Sequence, residues 1–169
     1  MPNPFQPSED ADQVLGHIEA HVISRLKLVR APYIQVMKVI RNISERRVEI
    51  AVLVDGAEVQ LMCEVWDDPG GFYFDTWVEV PICELGTGQH EELYRFLLIQ
   101  GGDFDSRLFL DEMPGGAGSQ LMMGRATRCL DGLEELIGET LREARALAKG
   151  LSEQFDIPTI PGATLPQIH

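Results

Sequence analysis

The chain has 169 residues, 44% of them hydrophobic and 24% charged, proportions typical of a single folded domain. Its net charge of −13 is distributed unevenly, because residues 48–94 hold eleven carboxylates and no Lys or Arg. Such a surface repels phosphate backbones, which argues against nucleic acid as a partner. No apolar run approaches the roughly 18 residues of a membrane span, and no leader opens the chain, so we expect a cytoplasmic protein without membrane contacts.

The first predicted element is a helix over residues 8–30. Its apolar residues recur at helical spacing: Val14, Leu15, Ile18, Val22 and Leu26. The next segment, residues 32–44, fits either a helix or a strand. Val36, Val39 and Ile43 lie at helical spacing, and this pattern favours a short second helix.

A three-stranded antiparallel meander is predicted from Arg47 to Pro81. The runs RRVEIAVLV, EVQLMCEVW and FYFDTWVEVP alternate in polarity, and Gly-containing turns at Asp55-Gly56 and 68–71 separate them. Alternate residues form one continuous apolar face, from Val48 on the first strand to Val80 on the third. We expect helices to cover that face.

The opposite face of the meander mixes carboxylates with aromatic and thioether side chains, an unusual composition for a surface left in water. We predict that the following residues contact a partner: Leu53, Met62, Glu64, Trp66, Tyr73, Asp75, Trp77 and Glu79. Two interpretations remain open. Either another part of the chain, such as the C-terminal tail, covers this face, or the face docks an extended or helical partner segment.

A middle helix is predicted after Thr87. It is apolar almost all round and ends at Gly101-Gly102, a pattern that predicts burial on both sides. One side can pack on the sheet, and the other requires a second surface. In a chain of this length we expect that surface to be a second copy, with Tyr94, Leu98 and Ile99 at a homodimer interface.

The remaining elements are a hairpin, a last helix and a tail. We expect Leu108 and Leu110 of the hairpin to pair with Leu121 and Met123. A long amphipathic helix follows, and an extended, proline-containing tail covers residues 152–169. The predicted fold is one α+β domain, residues 1–169, in the order α-βββ-α-ββ-α with a five-stranded antiparallel sheet.

Catalytic and metal-binding patterns are weak throughout the sequence. His17 and His21 are four residues apart, as metal ligands on a helix can be, but no further ligand pattern accompanies them. The three cysteines, Cys63, Cys83 and Cys129, are odd in number and widely spaced, which indicates reduced thiols. We therefore expect no cofactor, no metal and no enzymatic activity, and a small metal-dependent enzyme is the less favoured alternative.

Residues 47–150 resemble the type III secretion chaperone fold and the bacterial YbjN family, which shares it. The likeness lies in the strand exit VEVPICEL, the helix EELYRFLLIQGG, the hairpin strand RLFLDE and the closing helix DGLEELIGETLREARALA. Residues 32–46 look like an addition to that pattern. The resemblance implies a homodimer built partly from the middle helix. It also implies a binding protein that holds a non-globular client segment.

These observations together predict a chaperone or adaptor that binds an extended segment of a client protein. Pairing at a sheet edge and apolar side chains would supply affinity, while Glu64, Asp75 and Glu79 would favour a basic client. The alternative is a YbjN-like regulatory or stress-associated protein whose partner is unrelated to secretion.

Overall fold

The computed structural model describes residues 11–28, 34–68, 71–86, 91–112, 118–128 and 132–159. The predicted α+β class is confirmed: the described residues form three helices and an antiparallel sheet that has six strands instead of the predicted five. The elements in chain order are α1 Ala11–Leu28, β1 Ile34–Asn42, β2 Arg47–Val54, β3 Ala57–Asp68, β4 Gly71–Leu85, α2 Glu91–Asp103, β5 Arg107–Glu112, β6 Ser119–Thr127 and α3 Leu133–Phe155.

The sixth strand is β1, and the prediction of a short helix in this segment is wrong. A β-bulge between Val36 and Lys38 shifts the pairing of β1 with β2 by one residue. Val36 and Val39 consequently lie opposite Val52 and Ile50, on the same face of the sheet although they are three residues apart. This irregular strand therefore imitates the spacing of a helix.

The strands follow the order β1-β2-β3-β4-β6-β5. In the predicted hairpin, Leu108 pairs with Met123 and Leu110 with Leu121, as expected. The N-terminal helix spans Ala11–Leu28, and the other residues of its predicted range, 8–10 and 29–30, lie outside the described residues. The C-terminal helix α3 is longer than predicted, because it runs to Phe155 and so includes the start of the segment expected to be an extended tail.

The inner face of the sheet is the core of the molecule. The apolar side chains predicted for this face are buried wherever the structure describes them, with Leu61, Cys63 and Val78 wholly inaccessible. The side chains of Phe72 and Phe74 lie outside the described residues. Burying one face of each strand this thoroughly fixes the register, since a shift of one residue would turn every apolar side chain outward.

All three helices pack on this inner side. Helix α1 lies over β1 and β2, and α3 lies over β4 and β6. Helix α2 sits beside α3, where the rings of Phe96 and Phe155 meet edge to face with centroids 5.3 Å apart. A β-carbon at Gly150 would lie 3.0 Å from the Phe96 ring, so a glycine on α3 allows this close approach.

Charged pairs connect two of the helices to the inner face of the sheet. Arg41 on β1 donates hydrogen bonds to Glu19 and Asp12 on α1. Arg125 on β6 donates to Glu139 and Glu143 on α3, the latter at 3.0 Å. Helices held on one side in this way leave the opposite face of the sheet without a helical layer among the described residues.

Candidate outer-face binding site

The residues predicted to contact a partner share the face of the sheet that points away from the helices. Cross-strand pairing places Glu64 opposite Asp75, Trp66 opposite Tyr73 and Met62 opposite Trp77. Directly opposed side chains on one face of a sheet contact each other, so Glu64 with Asp75 and Met62 with Trp77 form rows across β3 and β4. We call this surface the outer face.

The rows continue along β3 and β4 and onto β2. Glu79 pairs with Gln60 on β3, and Leu53 on β2 pairs with Glu58 on β3. All eight predicted residues therefore belong to the outer face by register.

Exposure of the outer face is graded. Trp66 is 46% exposed, a large fraction for an indole in the middle of a folded domain. Half-buried side chains occupy most of the other positions: Leu53, Met62, Glu64, Asp75, Trp77 and Glu79. The side chain of Tyr73 lies outside the described residues. Residues 160–169, the part of the C-terminal tail that could cover this face in the alternative interpretation, also lie outside them.

Two arginines neutralise part of the negative charge. Arg47 lies 2.7 Å from both Glu45 and Glu49 and 4.0 Å from Glu64. Arg128, which follows β6, donates a hydrogen bond of 3.0 Å to Asp75. These partners lie along one side of the outer face.

Glu79 combines partial burial with the lack of an ion pair to any residue that the structure describes, whereas the outer-face carboxylates Glu58 and Glu84 are exposed. Partial burial raises the pKa of Glu79, and the neighbouring charge of Asp111 raises it further. The positive charge of Arg47 acts in the opposite direction, although it does not cancel the increase. Glu79 is thus a carboxylate whose charged form would gain from a cationic partner.

The hairpin contributes a part of the outer face that was not predicted from the sequence. Phe109 on β5 lies against Gly124 on β6, where a β-carbon would come within 2.9 Å of the phenyl ring and 3.5 Å of the Glu79 Cγ atom. Phe109 pairs with Met122, which in turn pairs with Pro81. The signal was present in the sequence, because these residues alternate with the inward-facing leucines of the same hairpin.

The predicted dimer residues form a second apolar surface, which we call the α2 patch. Leu98 is 80% exposed, Ile99 58% and Tyr94 44%. Leu93 and Leu97 of the same helix are buried against the core. In a single chain, therefore, α2 is buried on one side only, and the side on which the sequence predicted a dimer contact is open to water.

The candidate metal ligands and nucleophiles of the sequence are His17, His21 and the three cysteines. Within the described residues, no group of three or more His, Cys, Asp or Glu side chains could hold a metal ion. Burial raises the pKa of the Cys63 and Cys83 thiols to about 11, so both are protonated at neutral pH and poor nucleophiles. Cys129 lies outside the described residues.

Comparison with known proteins adds no assignment. No family model, curated protein or solved structure matches the chain. The resemblance to secretion chaperones and YbjN proteins accordingly stays a prediction. None of the described helices has the length and apolar character that crossing a bilayer requires.

The electrostatic position of Glu79 can be tested through protein stability. Because its pKa is raised in the folded state, protonation of Glu79 favours folding, and the contribution of Glu79 to stability falls as the pH rises above the usual value of 4.5. We expect Glu79→Gln to increase the free energy of unfolding at pH 7, with the gain disappearing below pH 4.5. Urea unfolding across this range measures the difference.

Glu58→Gln is the matched control, since Glu58 is exposed on the same face. We expect that variant to change stability by less than about 0.5 kcal/mol. A Glu79→Gln protein that is less stable than wild type at pH 7 would show that the Glu79 carboxylate already has a stabilising partner.

Proposed function

We propose that this protein is a non-enzymatic chaperone or adaptor that holds an extended segment of a client protein on the outer face of its sheet. The observation that carries the proposal is the composition of a face that the described helices leave open. It combines Trp66, Trp77 and Met62 with carboxylates, and aromatic and methionine side chains are enriched where proteins bind one another.

Charge favours a basic client. The meander and its flanks contain eleven carboxylates between residues 48 and 94 and no Lys or Arg. Arg47 is already occupied by Glu45 and Glu49, whereas Glu79 has no ion-pair partner among the described residues. A Lys or Arg of the client would stabilise the charged form of Glu79. The surrounding carboxylates would repel acidic segments and so suppress their binding.

An extended client conformation fits the edge strand β1. Its backbone groups directed away from β2 have no strand partner among the described residues, and its side chains Met37 and Ile40 are 57% and 38% exposed. Such an edge can accept an added strand by main-chain hydrogen bonding. Lys38 and the bulge beside it disfavour prolonged pairing of one copy with another.

The α2 patch supports a homodimer. An apolar surface centred on a leucine that is 80% exposed would be buried by the same patch of a second copy, because a two-fold axis brings identical surfaces together. The patch lies on the helical side of the sheet. Dimerisation there would leave the outer faces of both copies accessible to clients.

Client binding is tested with a short peptide of alternating lysine and valine, called the alternating peptide. We expect the double variant Trp66→Ala, Trp77→Ala to bind it at least about 30-fold more weakly than wild type, because losing a single tryptophan anchor already costs about 2 kcal/mol. Fluorescence anisotropy of the labelled peptide at physiological salt measures the affinity. His21→Ala, an exposed change on α1, is the control and should bind normally.

Two further comparisons make this test decisive. A block peptide of identical composition, with all lysines first, separates strand-like recognition from net charge, and we expect it to bind more weakly. If the double variant does not fold, Glu58→Lys replaces it in the test. Glu58 is exposed at the start of β3, and a lysine there should weaken binding of the basic peptide several-fold by charge repulsion. Equal binding of the alternating peptide to wild type and Glu58→Lys would contradict the proposal.

The dimer is tested separately. We expect the wild-type protein to sediment at twice its chain mass of 18.9 kDa and Leu98→Asp to sediment at the monomer mass, since a buried unpaired carboxylate disrupts an apolar contact. Analytical ultracentrifugation distinguishes the two. Ser152→Asp adds the same charge at an exposed site on α3 and should leave the dimer intact. A monomeric wild-type protein would rule out this interface.

A further inference from the structure

Strand β4 extends beyond its neighbour β3. The last paired residues of these strands are Gln60 and Glu79, whereas β4 continues to Leu85 alongside β6 on its other side. Strand β3 itself begins at Ala57, but its first residues pair only with β2. The edge of residues 80–85 that faces β3 therefore does not pair with β3, which leaves an opening between these two strands.

Proline and a bulge explain why the pairing stops there. Pro81 has no backbone N–H to donate to a neighbouring strand. A register shift between Pro81 and Cys83 bends this part of β4 relative to β6. Both features interrupt a ladder, so β3 and β4 separate at this point.

One described segment enters the opening, and we call it the strap: residues 156–159. The strap begins with Asp156 in the left-handed conformation, φ 53°, which turns the chain back at the end of α3. Ile157 is 6% exposed and belongs to the core. Thr159 then forms an isolated antiparallel bridge with Cys83.

The strap uses little of the hydrogen-bonding capacity that β4 offers. Within the described residues, a single bridge occupies an edge six residues long, and one apolar side chain anchors the strap to the core. A strand that paired along the whole edge would satisfy more backbone groups than the strap does. Segments held by so few contacts open at low free-energy cost.

The carboxylates around this opening favour a basic client segment, as those of the outer face do. Glu58 at the start of β3 and Glu84 near the end of β4 are both exposed. The register places both on the outer face, as the neighbours of Leu53 and Gln120. A strand inserted between β3 and β4 would place its outward side chains between these two carboxylates, where basic residues are favoured.

We propose that the basic client segment pairs with residues 80–85 of β4 in preference to the edge strand β1, and that the strap is its internal competitor. The inference rests on the proposed function and adds a site and a regulatory step to it. Client binding displaces Thr159 from Cys83, and any condition that holds the strap in place weakens binding. Apparent affinity then scales with the fraction of molecules in which the strap is released.

The test locks the strap covalently. Paired residues of antiparallel strands have Cα atoms about 4.5–5.5 Å apart, a separation that a disulfide can bridge. In the full-length Thr159→Cys protein, the new thiol would face Cys83 across the bridge. We expect the oxidised protein to bind the alternating peptide at least about tenfold more weakly than the same protein after reduction, with mass spectrometry confirming the Cys83 cross-link.

Two variants complete the design. Thr159→Ser preserves the backbone groups of the bridge and should bind equally with and without reductant. Thr159→Pro restricts φ to about −65° and removes an N–H, so it releases the strap and should bind at least about threefold more tightly than wild type. This second variant tests the proposal even where the disulfide does not form.

The outcomes separate the two proposals. Equal peptide affinity in the locked, reduced and Thr159→Pro proteins would overturn the strap while leaving outer-face binding in place. Absence of peptide binding in every form, wild type included, would overturn both. Weakening on oxidation together with tightening in Thr159→Pro would support the strap as a competitor.

Discussion

The whole architecture depends on one constraint: a single sheet has two faces, and the described helices cover only one. The inner face is so uniformly apolar that α1, α2 and α3 all pack there, with buried residues from Val14 to Ile157 in one continuous core. Hydrophobic burial on one side thus determines where the other side can interact. The outer face retains exposed Trp66 next to carboxylates because no described helix lies over it.

Charge gives this geometry its selectivity. Paired carboxylates on the outer face, such as Asp75 with Arg128, contribute little to partner choice because their charge is already balanced. Glu79 has no such ion pair among the described residues, and burial together with Asp111 raises its pKa. A cation of the client would therefore stabilise the complex most when it lies beside Glu79. The same acidic surround explains why an edge opening between Glu58 and Glu84 suits a basic strand.

Much of the fold could be predicted because strong alternation leaves few choices of register. The meander, the pairs Leu108–Met123 and Leu110–Leu121, and the assignment of all eight outer-face residues to one surface followed from period-two patterns. Strand β1 was missed because its bulge produces a three-residue spacing that resembles a helix. A bulge depends on pairing with another strand, which local sequence does not reveal.

The site was harder to predict where it depends on contacts between distant residues. The packing of Phe109 against Gly124 needs the hairpin to lie beside β4, and the bridge of Thr159 to Cys83 joins residues far apart in sequence. Proline content indicated an extended tail but could not show that Ile157 enters the core. Such contacts arise from tertiary packing, which overrides local preference.

The most direct measurement uses the two tryptophans of the chain, both of which belong to the outer face. Their indole N–H groups give separate NMR signals in the ¹⁵N-labelled protein, and titration with the alternating peptide reports contact at each. We predict that the Trp66 and Trp77 indole signals shift together with the amide signals of β3 and β4, while the amide signals of α1 stay in place. Shifts confined to the helices, or no shift at all, would contradict the claim that the outer face binds the client.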